Sequence, residues 1–471
     1  MLKKYVLVIL GVCLFLMPTW SFAKMGSGKM SAKSKDIDVQ FFGSLKSYPT
    51  FMSNIDFNDK ATKKDRILDE NGWMADHSVR NEFRIGWKGT GENWDFLAIL
   101  ESDFTMNKAN GDRGVGNSGP AGSGMSGNSF GVEKLNFGYN FGPFKLNTGW
   151  NTKFLDIHSG GILYGDDHPY IGLEGKIGSA KWEALYLMIQ DDIGTKSNGA
   201  FDGDNLDWRA YTLRVAFDVQ GLTLAPMFAF SDNNDHSAQV GYFGVEGYGK
   251  IGIVIPRFEI VYADGTMDKD ATVNKDYDIQ AWGAYGSVEL DLGTKIHPYL
   301  GAYYLSGDDD PNDSDMEAFN GITNISRYTP TFGMENALIY RYIPSLGSHL
   351  YSNNFATLGT HQGYGGISNS SKGDGPGMIM YGAGAKGSIN EKLSYKTQLM
   401  YFQLAEEDAL GIKDDEMGLE FDLQLTYKFS NHFSIGNVIA IFDPGDAVKD
   451  LNGHGYTDTA YLDTVELKWN F

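Results

Sequence analysis

Cysteine is almost missing. The single one in 471 residues is Cys13, inside an apolar stretch at the start, so no disulfide can staple the remainder. No run of eighteen apolar residues follows that stretch, which excludes a helical membrane span. Proline numbers only 13, and positive charge is in deficit: 39 Lys and Arg face 60 Asp and Glu, a net charge of −21. That balance argues against nucleic acid as a partner. No G-x-S-x-G nucleophile motif occurs, and the histidines show no metal spacing. The Gly-rich 111–131 lacks the Lys and Ser/Thr of a phosphate loop. Asp308-Asp309-Asp310-Pro311-Asn312-Asp313-Ser314-Asp315 lacks the Gly and Glu that a calcium loop needs. We expect no catalytic residue, no cofactor, no metal site and no enzyme. The acidic run reads as an external loop, bridged to lipopolysaccharide by divalent ions.

Glycine, at 59, and aromatics, at 14%, are abundant. The mean hydropathy of −0.30 suits a wall in which only alternate residues meet lipid. Residues 1–23 read as a signal peptide: Lys3 and Lys4, an apolar core from Tyr5 to Met17, then Ser21-Phe22-Ala23 as a small-x-small cleavage site. Residues 24–36 read as a flexible periplasmic tail, and 37–471 as one domain.

The last stretch sets the pattern. From Tyr461, alternate residues are Tyr461, Asp463, Val465, Leu467, Trp469 and Phe471, with Leu462, Thr464, Glu466, Lys468 and Asn470 between them. That is a period of two with one apolar face. Eighteen such stretches fall at about 37–48, 78–88, 94–104, 131–141, 144–153, 170–177, 180–190, 207–219, 222–230, 240–249, 251–263, 278–290, 295–305, 378–388, 393–404, 418–429, 433–442 and 458–471. Their connections alternate. Gly142-Pro143, Gly178-Ser179 and Gln220-Gly221 are tight turns. Between the short ones lie the long connections 49–77, 105–130, 154–169, 191–206, 231–239, 264–277, 306–377, 405–417 and 443–457. This rhythm predicts an all-β fold: a transmembrane antiparallel up-and-down β-barrel of 18 strands, with short periplasmic turns and long external loops. Closure follows because an unpaired backbone group in hydrocarbon costs several kcal/mol. A barrel of about 16–18 strands leaves an aqueous lumen.

Alternation also assigns the faces. The expected pore-lining residues are Arg80, Glu82, Arg84, Glu101, Lys134, Lys145, Arg214, Arg257, Glu259, Lys396, Glu420, Asp422 and Lys428. Trp87, Trp94, Phe144, Phe429, Phe433 and Trp469 fall beside short turns, as an interfacial girdle requires. Pro256 and the stretch 295–305, aromatic on both faces, break the pattern. The acidic surplus sits in the long connections, so the mouth should draw small cations at low salt. The lumen charges are mixed and form no single-sign filter. The longest connection, 306–377, is expected to fold into the lumen as a constriction, the alternatives being a lid outside the barrel or a hidden extra hairpin.

Gly418-Leu419-Glu420-Phe421-Asp422, Tyr427-Lys428, Ile441-Phe442-Asp443-Pro444-Gly445-Asp446 and Ser306-Gly307-Asp308 resemble the C-terminal part of the alginate-export family of outer-membrane porins. Arg84-Ile85-Gly86-Trp87-Lys88-Gly89 is similar to general Gram-negative porins. The resemblance implies eighteen strands and, in that family, a strongly cationic lumen; the mixed wall here departs from it. The leading expectation is a Gram-negative outer-membrane porin for small hydrophilic solutes or ions, alone or as a homotrimer, with lipid, lipopolysaccharide and the barrel assembly machinery as partners. The alternatives are an exporter of an anionic polysaccharide and a structural conduit sleeving a periplasmic partner.

Overall fold

The computed structural model describes residues 31–33, 37–54, 57, 79–105, 130–190, 207–234, 237–269, 275–310, 312–322, 376–408, 411–451 and 455–471. The expected leader and the middle of the 306–377 connection lie outside them. Eighteen strands form the wall: β1 (Asp38–Ser53), β2 (Val79–Thr90), β3 (Trp94–Thr105), β4 (Gly131–Asn140), β5 (Phe144–Phe154), β6 (Gly165–Ile177), β7 (Ala180–Gln190), β8 (Trp208–Val219), β9 (Leu222–Asn233), β10 (Ala238–Gly249), β11 (Val254–Met267), β12 (Tyr277–Leu290), β13 (Ile296–Leu305), β14 (Met378–Ser388), β15 (Leu393–Gln403), β16 (Glu416–Lys428), β17 (Phe433–Pro444) and β18 (Ala460–Asn470). Two short strands stand apart. Ser31–Lys33 pairs with the start of β1, and Asp315–Met316 lies parallel to the start of β12. The one helix among the described residues, α1 (Asp446–Leu451), is six residues long.

Each wall strand pairs antiparallel with its neighbours in sequence, and β1 closes on β18, with Ser44 opposite Asn470 and Lys46 opposite Lys468. Phe471 extends the seam: its N–H and carbonyl both bond Gly43 at 3.0 Å. The Phe471 ring lies where a side chain on Gly43 would stand. Closure leaves no sheet edge, as the sequence rhythm predicts.

The period-two faces appear directly. Along β12, Ile279, Ala281, Gly283, Tyr285, Ser287 and Glu289 are buried, while Gln280, Trp282 and Gly286 are exposed. On the outer face aromatics gather in two belts. Beside the short turns, Phe41 meets Trp87 at 5.7 Å, Phe141 meets Phe144 at 5.1 Å, and Phe433 meets Trp469 at 5.0 Å. Toward the other end Phe228 meets Phe243 at 5.3 Å, Tyr262 meets Trp282 at 4.4 Å, and Tyr381 meets Tyr401 at 5.2 Å. An apolar band flanked by two aromatic belts is the outer surface a bilayer demands.

Two expectations change in detail. The connection expected over 231–239 shrinks to 234–237, because β9 and β10 keep pairing as far as Asn233 and Ala238. Pro256 costs little, since the β10–β11 ladder ends at the Tyr248–Arg257 pair, just short of it.

Candidate functional site

The connection between β5 and β6, residues 155–164, does not stay beside its own strands. The Ser159 hydroxyl lies 3.0 Å from carboxyl oxygens of both Glu246 on β10 and Glu259 on β11, its one proton shared between them, and Tyr303 on β13 donates to the carbonyl of Gly160 at 3.0 Å. Those strands stand four or more places away round a closed wall. The route to them crosses the interior. The inner face is therefore the face of Glu246, Glu259, Tyr285 and Tyr303.

The loop is packed as tightly as a protein core. Leu155, Ile162, Leu163 and Tyr164 are at most 1% exposed. A side chain on Gly160 would meet Tyr285 Cβ at 2.6 Å, and one on Gly283 would meet Ile162 and Phe319 at 2.8 Å. A second piece joins it: Ile322 donates its N–H to the carbonyl of Leu163 at 2.8 Å, and Phe319 is 1% exposed. Opposite them the wall is apolar on its inner face too, with Leu185, Leu187, Ala210, Met227, Ala229, Val240, Tyr242, Val261 and Ala263 buried. On another sector Phe57 packs on Phe442 at 5.9 Å, beside Ala447 and Val448 of α1.

The rest of the inner wall is a belt of ion pairs. Lys46 meets Glu82 at 2.8 Å; Arg84 meets Glu82 at 3.1 Å and Glu133 at 2.9 Å, and also bonds Glu101. Lys134 donates to Thr152, which donates to Asp167. Lys145 meets Asp95 at 2.8 Å, and Lys153 meets Glu183 at 2.9 Å. Arg214 bonds Glu246; Arg257 and Lys386 reach Glu289 at 3.2 and 2.7 Å. Gln398 donates to Asp422 at 3.0 Å, Glu420 lies hydrogen-bonded beside it, and Lys396 stands opposite Lys386 in register. The expected residues Glu82, Arg84, Glu101, Lys134, Lys145, Arg214, Arg257, Glu259, Lys396, Glu420 and Asp422 thus fall into two groups. Most join the belt, whereas Glu259 serves the inward loop. Lys428 is exposed at a short turn, and the side chain of Arg80 lies outside the described residues.

Three features escaped the sequence reading. Glu133 precedes Lys134, so strict alternation puts it on the outer face. A bulge at Ile99–Leu100 shifts the register, and Glu133 reaches Arg84 inside. Tyr299 and Tyr303, which made 295–305 look aromatic on both faces, turn inward, where Tyr299 donates to the Thr397 carbonyl and Tyr303 holds the loop. Third is a cavity of about 510 Å³ between loop and wall, lined by Ile157, His158, Tyr248, Lys250 and Arg257. His158 stacks on Tyr248 at 4.3 Å, and burial followed by the charges of Arg214 and Arg257 holds its pKa below the ordinary value. Among the described residues, no group of His, Cys, Asp or Glu is placed to hold a metal ion.

Several solved structures have the same architecture. OccK5 (OpdH) of Pseudomonas aeruginosa matches over 92% of this chain and 98% of its own, at 12% identity and a TM-score of 0.51. OpdK of the same organism, solved with vanillate, matches over 92% and 98% at 10% identity and 0.54. OccAB2 of Acinetobacter baumannii gives 92%, 98%, 12% and 0.52. This chain shares their fold. No family model matches the chain, and no curated protein matches it by sequence.

Proposed function

We propose that the chain is a Gram-negative outer-membrane diffusion channel for small hydrophilic solutes or ions. One observation carries the reading: charged side chains on the inner face remain partly solvated, with Arg84 and Lys145 each 30% exposed and Lys153 17%. A dry filling would strip water from these paired charges at a cost that their pairing does not reliably repay; water within a wall of this size makes a passage. The inward loop and the 306–322 segment narrow that passage, and the ion-pair belt lines it. The outer band meets lipid, the acidic rim meets lipopolysaccharide through divalent ions, and the barrel assembly machinery inserts the wall. No catalytic step is assigned.

Mixed charge on the lining favours small solutes over a polyanion, because an anionic polysaccharide needs a run of unpaired cations and the belt pairs most of its own. The alginate-export reading and the conduit reading are therefore the weaker ones. Planar-bilayer recording of the purified protein tests the proposal. Discrete conductance steps are expected, with weak ion preference in a salt gradient. A protein that inserts without conducting refutes the channel, and strong anion preference turns the assignment to the exporter.

A further inference from the structure

The inward loop is held by carboxyl groups that the passage does not need. Glu259 Oε2 accepts the N–H groups of Gly160 and Gly161 at 2.8 and 3.0 Å, and the Ser159 hydroxyl at 3.0 Å. Asp156 accepts the N–H groups of Leu163 and Tyr164 at 2.6 and 3.4 Å, closing the loop on itself. Both carboxyls are 0% exposed, and they lie against each other where the loop meets the wall, close enough to share a hydrogen bond. Two carboxyls can do so only when one keeps its proton, since an ionised carboxylate has nothing to donate. Glu259 Oε1 is buried with no N–H or O–H partner, and a proton kept between the two carboxyls would give this corner of the site a donor that nothing else there supplies. Burial also pushes the Asp156 carboxyl above its usual range.

The surroundings do not supply a cation instead. The groups facing the pair are Ser159 and His158 on the loop and Arg214 on β8. Glu246 and Tyr248 face it from β10, Arg257 from β11, Tyr285 and Glu289 from β12, and Tyr303 from β13. Arg214 is taken by Glu246 and Arg257 by Glu289. The packed segment 312–322 adds Glu317, which is exposed. Ionising both Asp156 and Glu259 would bring two like charges together out of water, which is untenable at hydrogen-bond distance. The weakest joint is the loop, because Glu259 is fixed in the wall.

We infer that residues 155–164 form a proton-operated latch: one proton shared by Asp156 and Glu259 holds the loop on the inner wall, and its loss frees the loop and widens the passage. Asp156 has a raised pKa when latched. The latched state therefore weakens as pH climbs from the ordinary carboxyl range through the raised value, about tenfold per pH unit in the ratio of latched to free loop.

Conductance of the full chain in planar bilayers between about pH 5 and about pH 9 reads this directly. The wild type should step up to a larger conductance as pH rises. In Glu259→Gln the amide offers a permanent donor where the shared proton sat, and conductance should stay at the low level throughout; Asp156→Asn is no equivalent, because both Asp156 oxygens accept backbone N–H groups of the loop. A flat wild type, or a Glu259→Gln variant that keeps the rise, overturns the latch. So does calcium restoring the low level at alkaline pH, because the site would then take a metal. Since conductance rests on the channel reading, a second readout does not. Leu163→Cys places a thiol at a position 0% exposed, and its maleimide labelling, relative to the denatured protein, should rise with pH while the far-UV spectrum stays that of the folded wall. Labelling that rises in a barrel without conductance sinks the channel and keeps the latch; steady conductance with flat labelling does the reverse.

Discussion

On β2 the inward positions carry Glu82 and Arg84, with Lys46 of β1 and Glu101 of β3 beside them. On β12 the inward positions nearer the loop end carry Ile279, Ala281, Gly283 and Tyr285. Both are inner walls of one cylinder, and both obey the same alternation. They differ in what they need as a neighbour. Charges in the β1–β5 sector need water or each other, and they have both. The apolar sector would be as costly against water as it is cheap against lipid, so it needs a cover, which the 155–164 loop and the 316–322 segment supply. Burial at roughly 25 cal/mol per Å² of apolar surface favours that cover, so the passage is displaced toward the charged side. Composition of the wall, sector by sector, decides where the water runs.

The contrast can be broken from either side. Phe319→Ala should have the largest effect: emptying a fully buried aromatic site costs about 3–5 kcal/mol, enough to release the 312–322 segment. Hydrogen exchange should rise there while the wall strands stay protected; unchanged exchange would mean that the cover does not depend on its apolar contacts. Arg84→Met comes next. It takes their shared cation from Glu101 and Glu133 and leaves Glu82 with Lys46 alone, and with the guanidinium 30% exposed the cost falls from the buried-pair range to roughly 2 kcal/mol. Reversal potentials in a salt gradient should move toward cations, and a shift toward anions would count against Arg84 neutralising the belt. Gly160→Leu forces a side chain into Tyr285 and Glu259. At about 1–3 kcal/mol for overpacking, the loop should detach and conductance should rise even at acidic pH. The smallest effect is expected of Glu133→Gln, under about 1 kcal/mol as for a solvated ion pair, with a slight move toward anion preference. If it equals Arg84→Met in size, Glu133 rather than Arg84 is the centre of the belt.

The wall was legible because its rule is local. A lipid-facing residue must be apolar whatever its partners are, so Phe83-Arg84-Ile85 or Phe421-Asp422-Leu423 declare their faces unaided. Strand ends were legible where turn chemistry is strong, as at Gly178-Ser179. The lumen was legible only in its charged sector. Along β10, Val240 and Tyr242 were legible only as strand and Ala238 only as part of the preceding connection, since nothing in those residues tells of a loop arriving from β5 and β6. Glu259 read as one more lining charge; its partners, Ser159 and Gly160, lie a hundred residues earlier in the chain. Glu133 was hidden by a bulge, and bulges leave no periodic trace.

The seam at Ser44–Asn470 and Gly43–Phe471 sets an order on the birth of this molecule. The first and the eighteenth wall strands bond each other, so the cylinder cannot shut before β18 reaches β1. Throughout that interval two bare rims of peptide groups invite pairing with any other strand in reach. An unclosed sheet of this length keeps its partners to itself only where something shields both rims until β1 and β18 meet.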